Sequence, residues 1–160
     1  MVIREMSREE CLRVLAGARL ARLACAHKNQ PYVFPVYLAY DEASEFLYGF
    51  TTPGQKVDWM RANPLVCVEV DEVTAYDQWV SVIASGRYDE LPETPGCDER
   101  LRAWQILKTQ PMWWEPGNTA WAARAQSDAA APMILVYYRI RIEHVTGHEA
   151  ARTAPPNATS

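Results

Sequence analysis

The chain has 160 residues, a formal charge of −4 and 49% hydrophobic content, enough for one domain whose core needs no disulfide or metal staple. Lys and Arg are scattered, with no basic block or aromatic-basic stripe, which argues against nucleic acid as a partner. No stretch approaches the ~18 apolar residues of a membrane span and the N-terminus lacks a signal-type apolar core, so a cytoplasmic protein without a membrane partner is expected.

In chain order, Ser7 and Glu10 form a capping-box pair that opens a short helix with Cys11, Leu12, Val14 and Leu15 on one face and Gly17 at its C-cap. RLARLACA, PYVFPVYLAY and FLYGF then read as short strands of an antiparallel meander separated by turn-like gaps. Pro35 cannot donate to a ladder, so its strand is placed at an edge or a bulge, with backbone partly free. KVDWMRAN is a helix closed by Asn63-Pro64 and followed by the strand LVCVEV. WVSVIASGRYDEL is a long strand with a bend at Gly86, and DERLRAWQILKTQ is a helix capped by Asp98. A last long strand, PMILVYYRIRIEHVTG, precedes a small, polar, Pro-rich tail. The expectation is a mainly β domain over residues 1–149, with six antiparallel strands and three or four short helices, and a disordered tail over 150–160.

The start of the central helix carries the chemistry. Thr52 is the expected N-cap, with Pro53 at the first helical position and Gln55 completing a capping box. Lys56 is the anomaly, since a cation in the first turn opposes the helix dipole by roughly 0.3–1 kcal/mol unless an anion reverses the sign. Free first-turn N–H groups, Gly54, the hydroxyls of Thr51 and Thr52, and Lys56 together make a phosphate cradle. The competing explanation is a solvated Lys56 compensated by Asp58, and local sequence leaves the two about even.

Other chemistries find no support. Only three histidines occur, with no metal-ligand spacing, and no GxSxG, P-loop or GxGxxG is present, so no metal site, nucleophile or other catalytic residue is assigned. Cys11, Cys25, Cys67 and Cys97 show no CxxC spacing and read as reduced, mostly structural thiols. Trp104, Trp113, Trp114 and Trp121 crowd one region, either walling a pocket for a flat ring or serving as core and interface.

The succession RLARLACAHKNQPYVFPVYLAY, LYGFTTPGQK, MRANPLVCVEVDE and WVSVIASGRYDEL resembles the pyridoxamine 5′-phosphate oxidase-like, FMN-binding split-barrel superfamily, in the branch that includes nitroimidazole-resistance proteins. The likeness covers residues 5 to 91, with a weaker echo in RIRIEHVTG. It implies a split β-barrel homodimer with FMN at the subunit interface. Carried over by position, the phosphate turn falls on Thr51, Thr52, Gln55 and Lys56, with Arg61 as a helper. The strand along the flavin ring falls on Val33, Phe34, Pro35, Val36 and Tyr37, and a further flavin-facing strand on Trp79 and Ser81. Phe50 stands where that branch often has His, the oxidases' basic pair is reduced to Gln55-Lys56, and their substrate-binding C-terminal Arg motif has no match, which argues against vitamin B6 oxidation. The resulting expectation is an FMN-dependent oxidoreductase or flavin reductase acting on a small-molecule substrate of unspecified identity. The alternatives from other classes are a non-catalytic flavin- or haem-binding module and a cofactor-free structural barrel.

Overall fold

The computed structural model describes residues 1–93, 98–109 and 134–152, so Cys97, Trp113, Trp114, Trp121 and the tail beyond Arg152 lie outside the described residues. The elements in order are β1 (Val2–Glu5), α1 (Arg8–Gly17), β2 (Leu20–His27), β3 (Gln30–Tyr37), β4 (Ala39–Asp41), β5 (Phe46–Thr51), α2 (Gln55–Ala62), β6 (Leu65–Ala75), β7 (Gln78–Glu90), α3 (Glu99–Leu107) and β8 (Val136–Ala151). All strands join one antiparallel sheet of order β3-β2-β6-β7-β8-β5-β4, with β1 added to the far end of β8. The described residues thus form eight strands rather than the expected six. The run PYVFPVYLAY breaks at Leu38 into β3 and β4, and β1 has four exposed residues that carry no apolar alternation to announce it. Its partner residues on β8 run to Ala151, the first two positions of the expected tail included.

Local chemistry sets the elements that matter for the site. At α1, the Ser7 hydroxyl accepts from the Glu10 N–H at 3.3 Å while the Glu10 carboxylate accepts from the Ser7 N–H at 2.7 Å, the reciprocal capping box. The helix includes Gly17, and Ala18 caps it in an extended conformation, one residue later than expected. Asp98 does take the N-cap position of α3, although its side chain makes no capping hydrogen bond.

The β2–β3 hairpin closes on the pair His27 and Gln30, with Lys28 and Asn29 both at positive φ, which is a two-residue turn of the primed type. In such a hairpin the closing pair is hydrogen-bonded and pairs alternate from there, so Pro31, Val33 and Pro35 fall at positions facing away from β2. Both prolines therefore sit where no N–H is needed, on a strand that ends the sheet order. At the other bend, the β7–β8 register slips between Ser85 and Gly86, and a Cβ on Gly86 would lie 2.2 Å from the Arg141 carbonyl oxygen.

The main core runs through Leu23, Phe34, Val36, Met60, Val68, Val82, Tyr138 and Ile140. A second cluster, Tyr37, Tyr48, Leu91, Ala103 and Leu107, seats α3. Helix α2 inserts Val57 and Met60, three residues apart on one face, fully into the barrel. Asn63 ends it in an extended conformation ahead of Pro64, and its Nδ2 donates to the Ala26 carbonyl at 2.9 Å. That bond ties the end of α2 to the end of β2 and so lays the helix beside the β2–β3 hairpin.

Candidate functional site

The first turn of α2 differs from expectation in its cap. Helical geometry begins at Gln55, and Gly54, not Thr52, takes the N-cap position, so the Thr52–Gln55 capping box does not form. Gly54 has φ +152° and ψ −174°, a conformation strained for a side chain, and a Cβ built there meets nothing within 4 Å. Val57 and Asp58 both donate to the Gly54 carbonyl, at 2.9 and 3.1 Å. The N–H groups of Gln55 and Lys56 remain without an intrahelical acceptor by helix geometry. The cradle is therefore open at its centre, with no side-chain capping hydrogen bond at the helix start.

Lys56 has no carboxylate partner among the described residues; its ammonium instead sits 5.8 Å from the centre of the Phe34 ring. Asp58, the proposed compensator, lies 3.7 Å from Arg61. Arg61 in turn is held by Glu90, its Nε at 3.0 and 3.2 Å and its Nη2 at 2.9 Å, which removes it as a phosphate helper. The cation is thus left uncompensated in a helix turn whose dipole disfavours it, on a ring from the edge strand. Thr51 is half-buried at the end of β5, while Thr52 and Gln55 are exposed.

The β3 residues divide by face. Phe34 and Val36 enter the main core and Tyr37 the second cluster beside α3, while Val33 and Pro35 face outward. The Val33 N–H and the carbonyls of Pro31, Val33 and Pro35 point off the free edge, where main-chain groups can meet the polar rim of a flat ligand. Lys56 and β3, far apart in sequence, are brought together.

Trp79 and Ser81 are not. Ser81 pairs with Asp71 on β6 and His148 on β8. Three strand spacings separate β7 from β3, about 14 Å, and the Ser81 row is offset from the Phe34 row by roughly 10 Å along the strands. Both are half-buried on β7, on the sheet face opposite to the Phe34 ring that seats Lys56.

A cavity of about 620 Å³ lies elsewhere, between α1 and the barrel, bordered by Arg4, Arg13, Arg19, Leu20, Val70 and Val80. It includes none of the cradle or β3 residues. Arg4 is paired there with Glu10 and Glu149, and Asp71 with Arg22, while Arg13, Arg19 and Glu72 on its border form no ion pair among the described residues. The thiols of Cys11, Cys25 and Cys67 are free and pushed up by burial, which keeps them protonated and unreactive. Of the tryptophan cluster, only Trp104 is described, part-exposed on α3.

An antiparallel barrel left open beside an edge strand, with a helix start at the opening, defines the split-barrel class. Residues 7–149 match the pyridoxamine 5′-phosphate oxidase family, and the chain belongs to it. It is 44% identical over 151 residues to an uncharacterized protein of Rhizobium meliloti, covering 94% of this chain and 97% of that one. Among solved structures it is similar to a FAD-binding protein from Mesorhizobium loti, at 42% identity and a TM-score of 0.73 over 95% of this chain and 99% of the other. A candidate 5-nitroimidazole antibiotic resistance protein from Bacteroides thetaiotaomicron shares the fold at 16% identity and a TM-score of 0.63, over 93% and 89% of the two chains.

What sequence reasoning missed is the company Lys56 keeps. Tyr32 and Trp59 meet at 5.7 Å, Tyr32 and Phe34 at 5.4 Å, and His27 and Trp59 at 5.9 Å, a row of rings along the β2–β3 hairpin and α2. The signal was available in part: Tyr32 and Phe34 alternate onto one face of a strand, and Trp59 follows Lys56 by one helical turn.

Proposed function

We propose that this chain is a flavin-dependent oxidoreductase or flavin reductase that binds FMN, or the FMN portion of FAD, with its phosphate at the start of α2. The observation that carries the reading is Lys56: a first-turn cation with no carboxylate partner among the described residues, beside unsatisfied N–H groups and a glycine that leaves the approach open. The donor set of one ammonium, two helix N–H groups and the Thr51 and Thr52 hydroxyls suits a phosphate monoester. Membership of the family and the FAD-binding relative support a flavin in that place.

When bound, the flavin would supply the electron transfer. The protein's part is placement. Lys56 and the α2 N–H groups anchor the phosphate, the free edge of β3 orients ring nitrogens and oxygens through its main chain, and Phe34 covers the inner side against water. The placement of Trp79 and Ser81 on the face opposite to Phe34 supports a homodimer in which each β7 strand faces the site of the other copy. That arrangement also gives exposed Val33, Leu20 and Ile83, on one outer face of the sheet, an apolar contact to bury.

The test is titration of apoprotein with FMN, followed by flavin fluorescence, alongside sedimentation to fix the assembly. Saturable binding at one FMN per chain in a dimer is expected, with loss on Lys56→Ala. Binding that ignores Lys56, or a monomer that binds flavin fully, would overturn the corresponding part. Reduction of the bound flavin by NADH or NADPH, with reoxidation that depends on an added acceptor, separates an enzyme from a carrier.

A further inference from the structure

The cavity of about 620 Å³ under α1 shares no residue with the flavin cradle and has the size of a small-molecule site. Val70 and Val80 make its floor. Val80 pairs with Glu72 on β6 and with Glu149 on β8, so the three stand in one row on the inner face of the sheet, and Val70 lies two residues from Glu72 on that same face. Met6 and Val14, both packed against the main core, add apolar surface. On α1, Glu10, Arg13, Val14 and Gly17 follow helical spacing and border the cavity together. Gly17 leaves that end open, since a Cβ built there meets nothing within 4 Å.

The charges around this apolar floor are of both signs. Glu10 and Glu149 are taken by Arg4, and Asp71 by Arg22. Arg13, Arg19 and Glu72 are exposed on the border and form no ion pair among the described residues. Helix α1 also ends here, with no basic residue in its last turn and with final carbonyls that lack intrahelical donors, a place that favours a cation. A simple anion would leave Glu72 and those carbonyls unanswered, and a simple cation would leave Arg13 and Arg19; a zwitterion on an apolar body answers both. We propose that the cavity binds a large apolar α-amino acid, with its carboxylate on Arg13 and Arg19, its ammonium toward Glu72 and the end of α1, and its side chain on Val70, Val80 and Met6. The site stands apart from the flavin and does not depend on it.

The purified full chain is titrated by calorimetry with L-leucine, L-methionine and L-phenylalanine, each set against its deamino acid and its decarboxylated amine, with thermal melts to confirm folding. At least one amino acid is expected to bind saturably and at least about tenfold more tightly than either of its analogues, because each analogue leaves one charged group unmatched. The double variant Arg13→Gln, Arg19→Gln should lower that affinity about tenfold or more, and Glu72→Gln should weaken the amino acid more than its deamino acid. Gly17→Leu, which directs a side chain into open space and replaces a poor helix former, should melt no lower than wild type and lose the amino acid. Lys56→Ala should bind it as wild type does. Absence of saturable binding for all three amino acids in the millimolar range would overturn the proposal. So would equal affinity for an amino acid and one of its analogues, or wild-type binding by the arginine double variant or by folded Gly17→Leu.

Discussion

Lys56→Ala tests the site through two quantities that the structure predicts to move independently. In the protein without ligand, the substitution removes a cation–π contact at 5.8 Å, worth roughly 0.5–1 kcal/mol at an exposed site. It also removes a cation from the positive end of α2, a gain of roughly 0.3–1 kcal/mol, and no ion pair among the described residues is lost. The terms nearly cancel, so stability should change by less than about 0.5 kcal/mol, or about 2 °C in Tm for a chain of this size. Flavin affinity should fall by about 1–3 kcal/mol, the usual loss when a charged hydrogen-bond partner is removed, which is roughly a 5- to 150-fold rise in Kd. Thermal melts of apoprotein and FMN titrations of both forms measure the two. Affinity within twofold of wild type, or a loss of stability that matches the loss of binding, would refute the reasoning.

Other outcomes follow from the packing. A Cβ at Gly86 would meet the Arg141 carbonyl oxygen at 2.2 Å, whereas at Gly49 it would meet the Tyr138 ring and hydroxyl at 2.6 and 2.7 Å, and Leu38 at 2.8 Å. Gly49→Ala should therefore cost about 1–3 kcal/mol through side-chain displacement, and Gly86→Ala more, because backbone must move; urea unfolding ranks them. The Tyr138 hydroxyl is fully buried without a hydrogen-bond partner among the described residues, and burial pushes its ionisation up. Tyr138→Phe should thus be neutral or stabilising by up to about 1 kcal/mol in the same assay, and a clear destabilisation would mean a bonded hydroxyl. The Glu10 carboxyl is held down to about 2, chiefly by Arg4 and then by the Ser7 N–H. Because its folded value is depressed, its stabilising contribution is full above its ordinary value near 4.5 and is lost as pH falls from there through about 2. Glu10→Gln should flatten that acid limb of the stability profile.

The features legible in the sequence are the local ones. Ser7 and Glu10 cap α1 because both partners lie within one turn, Asn63-Pro64 ends α2 because proline restricts its predecessor, and Pro35 calls for an edge or a bulge, of which the fold supplies the edge. Gly86 bends β7 where a carbonyl leaves no room for a Cβ. Long-range pairing hid the rest. β1 exists because β8 lies across from it at the other end of the chain, and its own four residues say nothing of that. The α2 cap was misplaced because Thr-Pro-Gly-Gln satisfies the local pattern, while the packing of Val57 and Met60 sets where the helix begins. At the site, the lone cation was readable as an anomaly; its seat on Phe34 and the neighbouring rings depend on how the hairpin and helix dock.

The most direct measurement is the absorption spectrum of the freshly purified protein, followed by release of any bound ligand and its identification by chromatography. The account predicts flavin bands and a stoichiometric flavin that rebinds to the wild-type apoprotein and poorly to Lys56→Ala. A spectrum without flavin, from a folded protein that takes up neither FMN nor FAD, would contradict it.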